Sequence, residues 1–314
     1  MKAIETGQGL TRPTDVRAAL KEGIARLDAG QVRSSALAAE LLLMHALGRD
    51  RTWLYAHATD QLDAESTERY LALVGRRAAG EPVQYIVRKQ DFWGLEFEVT
   101  PAVLIPRPET EHIVEVALAR VGEGNRAVPL AIADVGTGSG CLAVALAKVF
   151  SNAQIVATDI SAEALKVARR NAARHEVQDR IEFVETDLLA RLLGEPVDAS
   201  LALQRSFPIR PEFDLIVSNP PYVALSDSDS LEREVGEHEP GLALYGGPTG
   251  VEIYPRLIEQ AETLLGAGGL LVVELGCGAA DRVGEMIDSR GTWKNVTVTN
   301  DLAGIPRALA AERV

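Results

Sequence analysis

The chain has 314 residues, 46% of them hydrophobic, and a formal net charge of −13. That length suffices for one large domain plus a smaller one, and the acidity excludes broad binding to nucleic-acid phosphates, which needs clustered Lys and Arg. No apolar run approaches the roughly 18 residues of a membrane span and no signal-peptide core follows Met1 and Lys2, so a cytoplasmic location is expected.

Over residues 1–80 there are 11 basic and 10 acidic side chains, which leaves 21 against 35 beyond, so the acidity belongs to the later part. This first segment reads as short helices. Val16, Leu20, Ile24 and Leu27 recur at helical spacing after Thr14 as a cap, with Gly30 as a stop. Ser35 to Leu47 gives a second helix, and Asp63 to Ala79 a further helical stretch after Trp53, Leu54 and Tyr55. The spacing predicts a small unit of four or five helices ending at Gly80, a kind of domain that binds partners.

Between Pro82 and Pro108 the period changes to two, with Phe92, Leu95, Phe97 and Val99 around Gly94, which predicts an antiparallel hairpin bridging two domains. From Leu130 onward, strand-like runs alternate with helical patterns: Leu130 to Val135, Ile155 to Asp159, Ile181 to Glu185, Phe213 to Ser218 and Leu270 to Leu275. That alternation predicts a mostly parallel sheet wrapped by helices. Val296 to Thr299 and Ala308 to Glu312 are expected to close the sheet as an antiparallel edge. Leu192 to Pro211 has no period and three prolines, so a surface excursion or lid is expected there. Cys141 and Cys277 have no His or Cys at ligand spacing; they predict neither a metal site nor a disulfide and read as small buried fillers.

The segment Asp134-Val-Gly-Thr-Gly-Ser-Gly140 follows a strand and opens a helix, where glycines let the backbone turn sharply and approach a ligand. Gly136, Thr137, Gly138, Ser139 and Gly140 are therefore candidate cofactor-binding residues. Asp159 ends the next strand 23 positions after Gly136, where a carboxylate can accept from both hydroxyls of a ribose. Asp187, after the third strand, is placed to reach an adenine amino group, and Leu188 to pack on the ring. A dehydrogenase would space its glycines as G-x-G-x-x-G, whereas Gly136, Gly138 and Gly140 alternate, which favours S-adenosylmethionine over NAD.

Ser218-Asn-Pro-Pro-Tyr222 follows the fourth strand at the carboxyl end of the sheet, where open α/β folds bind ligands. An amide or aromatic amino nitrogen is a poor nucleophile because its lone pair is delocalised, so it must be positioned. The Asn219 side-chain oxygen and the Pro220 carbonyl can each accept one N–H of such a target. Pro221 stiffens that carbonyl's direction, and Tyr222 can pack on the flat group and shield it from water. Asn219, Pro220 and Tyr222 are the candidate catalytic residues, Asn219 also adjoins the cofactor, and Asn219 to Tyr222 form the candidate substrate site. A sulfonium already activates the methyl, so no general base is expected.

Along essentially the whole chain these residues resemble the release factor glutamine methyltransferase family, of the HemK or PrmC type. Gly80-Glu-Pro-Val-Gln-Tyr-Ile86, Phe92-Trp-Gly-Leu-Glu-Phe97 and Leu104-Ile-Pro-Arg-Pro-Glu-Thr-Glu111 are similar to its interdomain hairpin and the start of its catalytic domain. His238-Glu-Pro-Gly-Leu-Ala-Leu-Tyr-Gly-Gly247 with Gly250, and Asp301-Leu-Ala-Gly-Ile-Pro-Arg307, are similar to its C-terminal signatures. The resemblance implies a Rossmann-like α/β fold of the class I S-adenosylmethionine-dependent methyltransferases, with a mostly parallel seven-stranded sheet over 109–314. It further implies a helical substrate-docking domain over 1–80 and a hairpin linker over 81–108. The implied reaction is methylation of the glutamine side chain in the Gly-Gly-Gln loop of class 1 peptide chain release factors, with S-adenosylhomocysteine as product. By the same analogy Phe92, Phe97 and Glu111 line the methionine end of the cofactor, or else serve hairpin packing and a helix first turn.

The sequence departs from that pattern at Arg88, where the family has Gly, at Thr249, where Asp is common, and at Leu188, which replaces an aromatic. Three rival readings remain: glutamine methylation of a ribosomal protein, N6-adenine methylation of nucleic acid, and a non-catalytic cofactor-binding module. Pro106 to Glu111 favours the release factor branch over the first, the acidic charge opposes the second, and the intact Asn219 motif opposes the third.

Overall fold

The computed structural model describes residues 15–122, 127–194 and 212–314. The chain divides into two compact units between Val87 and Arg88.

The first unit is five helices: α1 Val16–Ala29, α2 Ser35–Leu47, α3 Arg51–Ala56, α4 Ala64–Ala78 and α5 Val83–Val87. Three of them start on an aspartate whose carboxylate accepts a backbone N–H of the first turn, each at 2.7 Å: Asp15 from Ala18, Asp50 from Trp53 and Asp63 from Ser66. Thr14, expected as the first cap, lies outside the described residues, and Asp15 performs that role. Leu27, Leu42, Leu43, Tyr70 and Val74 form the core of this unit. Ile86 packs into the same core, so the unit runs past Gly80, the expected boundary, to Val87.

The second unit begins with β1 Lys89–Phe92 and β2 Leu95–Glu98, paired antiparallel. The two residues of their turn, Trp93 and Gly94, both have positive φ, at 53° and 68°, the geometry that matches hairpin twist. Phe92 and Phe97 are 1% and 0% exposed, packed edge to face with ring centroids 6.2 Å apart, in the core that holds Ile113 and Leu146. The expected hairpin linker over 81–108 is thus corrected: its start is helix α5 of the first unit, and its hairpin is core structure of the second.

There follow α6 Glu111–Val121, β3 Ala131–Val135, α7 Cys141–Val149, β4 Gln154–Asp159, α8 Ala162–Arg174, β5 Ile181–Glu185 and β6 Phe213–Ser218. Next come the short β7 Val223–Ala224, α9 Arg233–His238, α10 Gly241–Leu244 and β8 Tyr245–Gly247. The chain closes with α11 Tyr254–Leu264, β9 Leu265–Glu274, α12 Ala280–Asp288, β10 Trp293–Asn300 and β11 Pro306–Arg313. Seven strands form one sheet in the order β10-β11-β9-β6-β3-β4-β5. The pairs among β9, β6, β3, β4 and β5 are parallel, and β11 is antiparallel to both β9 and β10. The mostly parallel sheet with an antiparallel edge is therefore as expected, and the last strand sits inside that edge rather than at its rim.

Strand alternation feeds two cores. Ile132 and Val272 join α6 and α7 in one, while Ala133, Leu271 and Val273 join α11 and α12 in the other. From β3 the chain crosses to β4 on one side, while β6 lies on the other, so a topological switch falls between β3 and β6. The ends of these two strands carry Gly136 and Asn219. Of the expected excursion over 192–211, residues 195–211 lie outside the described residues; Ala190–Leu193 is a single 3-10 turn ended by Gly194 at φ 81°. Among the described residues no helix is long and apolar enough to cross a membrane.

Candidate active site

The loop after β3 is fixed by its own neighbours. The backbone N–H groups of Gly136 and Thr137 both donate to the Thr158 carbonyl on β4, at 2.9 and 2.8 Å. Gly136, Gly138 and Gly140 all have positive φ, at 73°, 55° and 81°, which side chains other than glycine adopt at a cost of roughly 1–2 kcal/mol. At Gly140 a Cβ would also lie 3.0 Å from that of Ala168, so glycine is needed there for α7 to pack on α8. Asp134 is fully buried beneath the loop, accepting from the Thr137 hydroxyl at 2.6 Å and the Ala143 N–H at 3.0 Å. Burial pushes its carboxyl up to about 7. Its Oδ1, like the Thr158 hydroxyl, is buried with no partner.

Asp159 bridges the two strand ends. Its carboxylate accepts the Gly138 N–H at 2.9 Å on one oxygen and the Ser161 N–H at 2.9 Å on the other. Burial raises its pKa, against those two donors.

The motif after β6 is held by remote residues instead. The Asn219 Nδ2 donates to the hydroxyl of Thr110, just before α6, at 3.0 Å. The Tyr222 hydroxyl donates to Glu274 Oε1, at the end of β9, at 3.0 Å. Burial raises both partners of that contact: the Tyr222 phenol stays neutral, and the Glu274 carboxyl is pushed up to about 7. Three glycines press against the loop from outside it. A Cβ at Gly246 would lie 2.4 Å from the Pro221 carbonyl oxygen, one at Gly250 2.3 Å from that of Tyr222, and one at Gly276 3.0 Å from the Tyr222 ring. The parallel pair β7 and β8 lies in the same place. A physical reason for Gly246 and Gly250 of the first C-terminal segment follows: the reaction loop is backed by bare backbone.

The other expected residues divide. Asp187 is half-exposed and its Oδ2 accepts from Arg256 at 2.6 Å, so a ligand would share it with that guanidinium. Leu188 has φ 51° and its side chain packs into the second core, which argues against the expected stacking on a ring. Phe92 and Phe97 are core residues, the packing alternative of the two held open for them. Glu111 accepts the Trp93 N–H at 2.7 Å and so fastens the hairpin turn to α6. Arg88, which departs from the glycine of the family pattern, has φ 60°, the conformation glycine favours. Cys141 is buried as expected, with its thiol pushed up to about 12 by that burial, but Cys277 is exposed, in the turn after β9.

Sequence reasoning did not single out four residues that organise the site. Glu274 and Thr110 hold the motif's polar atoms. Asn171 of α8, fully buried, accepts the Glu98 N–H at 2.7 Å and donates to the carbonyls of Glu98 and Ser139 at 2.9 and 2.8 Å, tying the hairpin to the glycine loop. Glu239 accepts the Ile105 N–H at 3.0 Å and pairs with Arg107, which fixes the Pro106 to Pro108 segment. The signal available for Glu274, after Leu270 to Val273, and for Asn171, on the buried face of α8, was a polar residue inside an apolar pattern; Thr110 and Glu239 stand among polar residues and prolines and carried no such signal.

Residues 18–87 match the family described as PrmC N-terminal domain, and residues 129–290 a methyltransferase domain. Over 298 residues the chain is 41% identical to a release factor glutamine methyltransferase of Koribacter versatilis (strain Ellin345), covering 95% of this chain and 98% of that one. It is 43% identical over 278 residues to one from Geobacter sulfurreducens, covering 88% and 89% of the two chains. Among solved structures, the hMettl16 catalytic domain in complex with MAT2A 3'UTR hairpin 6 superposes with a TM-score of 0.51 at 18% identity, over 76% of this chain and 81% of that one, a likeness of fold.

Proposed function

The chain belongs to the release factor glutamine methyltransferase family, and on that premise we propose that it methylates the glutamine of the Gly-Gly-Gln loop in class 1 peptide chain release factors. The methyl comes from S-adenosylmethionine and goes to the side-chain amide nitrogen. The observation that carries this reading is the commitment of Asn219 Nδ2 to Thr110, which leaves the amide oxygen as the atom that meets an incoming N–H.

The glycine loop fits the cofactor. Its backbone is turned by three positive-φ glycines, a buried oxygen of Asp134 and the buried Thr158 hydroxyl lack partners, and Gly138 has no heavy atom within 4 Å of where a Cβ would stand. Gly136 to Gly140 would surround the methionine and ribose, Asp159 would accept from the ribose hydroxyls, and Asp187 would meet the adenine amino group. When bound, the sulfonium supplies an electrophilic methyl.

The chain's own residues then orient the nucleophile. One amide N–H of the substrate is accepted by Asn219 Oδ1 and the other by the Pro220 carbonyl, which aims the nitrogen lone pair at the cofactor side. Pro221 limits the freedom of that carbonyl. Tyr222, held by Glu274, covers the flat amide and keeps water out. The helical unit, nearly neutral where the catalytic unit is acidic, would add contact area on the release factor, because one glutamine side chain cannot select a protein.

Incubation with labelled S-adenosylmethionine and a purified class 1 release factor should place one methyl on the glutamine of its Gly-Gly-Gln loop, located by peptide mass spectrometry. Label on a ribosomal protein or on nucleic acid, with the release factor unlabelled, would overturn the reading. A chain starting at Arg88 should bind the cofactor and methylate intact release factor far more slowly; equal rates would remove the docking role from the helical unit.

A further inference from the structure

We propose that Asn171 is a positioning residue for cofactor binding: by joining the open edge of the hairpin to the Ser139 carbonyl, it holds the glycine loop in the shape that takes S-adenosylmethionine. This rests on the reading of that loop given above.

The hairpin is a two-stranded sheet, so the outer edge of β2 has no strand beside it. Helix α8 takes that place. Asn171 accepts the Glu98 N–H at 2.7 Å and donates to the Glu98 carbonyl at 2.9 Å, as a neighbouring strand would. One helical turn on, His175 Nε2 lies 2.9 Å from the Glu96 carbonyl, which requires that nitrogen to carry the ring proton. The spacing fits because four residues of helix rise about 6 Å and two residues of strand about 6.7 Å. Charge repeats the same step: Arg170 pairs with the Glu98 carboxylate at 2.8 Å and Arg174 with that of Glu96 at 3.0 Å.

Of these four side chains, Asn171 is the one that also reaches the glycine loop. Its Nδ2 donates to the Ser139 carbonyl at 2.8 Å as well. Turned over, the amide would set its oxygen against two carbonyls, so one orientation is allowed. The side chain is fully buried, where a carbonyl deprived of its donor is costly. The loop needs such a hold. Gly138 and Gly140, on either side of Ser139, have φ 55° and 81°, and the freedom that lets glycine reach those angles also lets it leave them. Helix α8 fixes the peptide unit between Ser139 and Gly140 at two points. Ala168 abuts Gly140, where an added Cβ would lie 3.0 Å from that of Ala168, and Asn171, one turn further along, grips the Ser139 carbonyl. The loop stays open at Gly138, with no heavy atom within 4 Å of an added Cβ. A loop already held in its binding shape loses less freedom when a ligand arrives. Without Asn171 the affinity should therefore fall for any ligand of the loop, whether or not it carries the methyl group.

The test is calorimetry on the full chain with S-adenosylmethionine and, separately, S-adenosylhomocysteine, for the wild type, Asn171→Ala, Asn171→Asp and His175→Ala. In Asn171→Ala both Kd values should rise about 10-fold, about 1.4 kcal/mol, while kcat on a class 1 release factor at saturating cofactor stays within about 2-fold. Asn171→Asp keeps an acceptor for the Glu98 N–H but has no N–H for Ser139, so it should show at least the same loss. His175→Ala loosens the hairpin edge without touching the loop. It should lower thermal stability and leave both Kd values within about 2-fold. In the wild type, S-adenosylhomocysteine should slow hydrogen exchange at the Glu98 amide by about 3-fold or more, a reading that needs no variant. Unchanged Kd values in a folded Asn171 variant, an equal loss in His175→Ala, or Glu98 exchange indifferent to cofactor would each overturn the inference. If neither Asn171 variant folds, the exchange measurement decides. Wild-type protein that binds neither compound overturns the cofactor reading itself, whereas wild-type binding matched by Asn171→Ala overturns only the role of Asn171.

Discussion

The glycine loop at Gly136 to Gly140 and the reaction loop at Asn219 to Tyr222 sit at the ends of adjacent strands, yet they are built by opposite means. In the first, the glycines belong to the loop itself, are needed mainly for backbone conformation, and at Gly138 face open space. In the second, the loop holds no glycine; glycines at 246, 250 and 276 stand around it because its carbonyls and Tyr222 ring leave no room for a Cβ. The first loop is shaped from within and left open for a ligand. The second is clamped from outside, which suits a loop whose carbonyl must point one way.

The sharpest break in this contrast is Asn219→Ala, which should lower turnover by roughly 10²–10³-fold, the loss typical of one preorganised polar contact at a reacting group, with cofactor affinity nearly intact by calorimetry. Near-normal single-turnover rates would remove the reaction loop from the chemistry. Gly250→Ala should come next, because it combines φ 81° with backbone 2.3 Å from the added methyl. We expect a loss of about 2–4 kcal/mol in chemical denaturation, together with slowed turnover. Asp159→Ala should act on the other loop, weakening S-adenosylmethionine by about 1.5–3 kcal/mol through lost charge-assisted hydrogen bonds; an unchanged Kd would leave Asp159 only its structural contacts to Gly138 and Ser161. Gly138→Ala should be mildest for the fold, at about 1–2 kcal/mol from conformation alone, since no neighbour opposes the methyl. A stability loss as large as that of Gly250→Ala would erase the distinction between an open loop and a clamped one.

Much of this could be read from the chain. The alternation of strands and helices, the glycine loop, Asp159 and the Asn219 motif are local signals, carried by residues within a few positions of one another. Arg88 shows a departure from the family pattern: the backbone there keeps the left-handed φ that suits the family's glycine, although the residue is arginine. Phe92 and Phe97 show the limit, because an alternating hairpin pattern looks the same whether its apolar face lines a cofactor or fills a core. The helical unit's end was placed at Gly80 since glycine is a common stop, but the apolar side of Val83–Val87 found a core to join.

The sequence by itself determined the fold class, the order of its elements and the two loops that meet at the strand ends, because backbone conformation and hydrophobic periodicity are written in neighbouring residues. Tertiary structure alone decided that β3 and β6 lie side by side, that β11 inserts between β9 and β10, and that Thr110 and Glu274 reach Asn219 and Tyr222 across 109 and 52 residues. Buried polar atoms must be satisfied, but a donor carries no mark of its acceptor. Only the packing of the sheet and its helices chooses which distant pairs come within hydrogen-bonding reach.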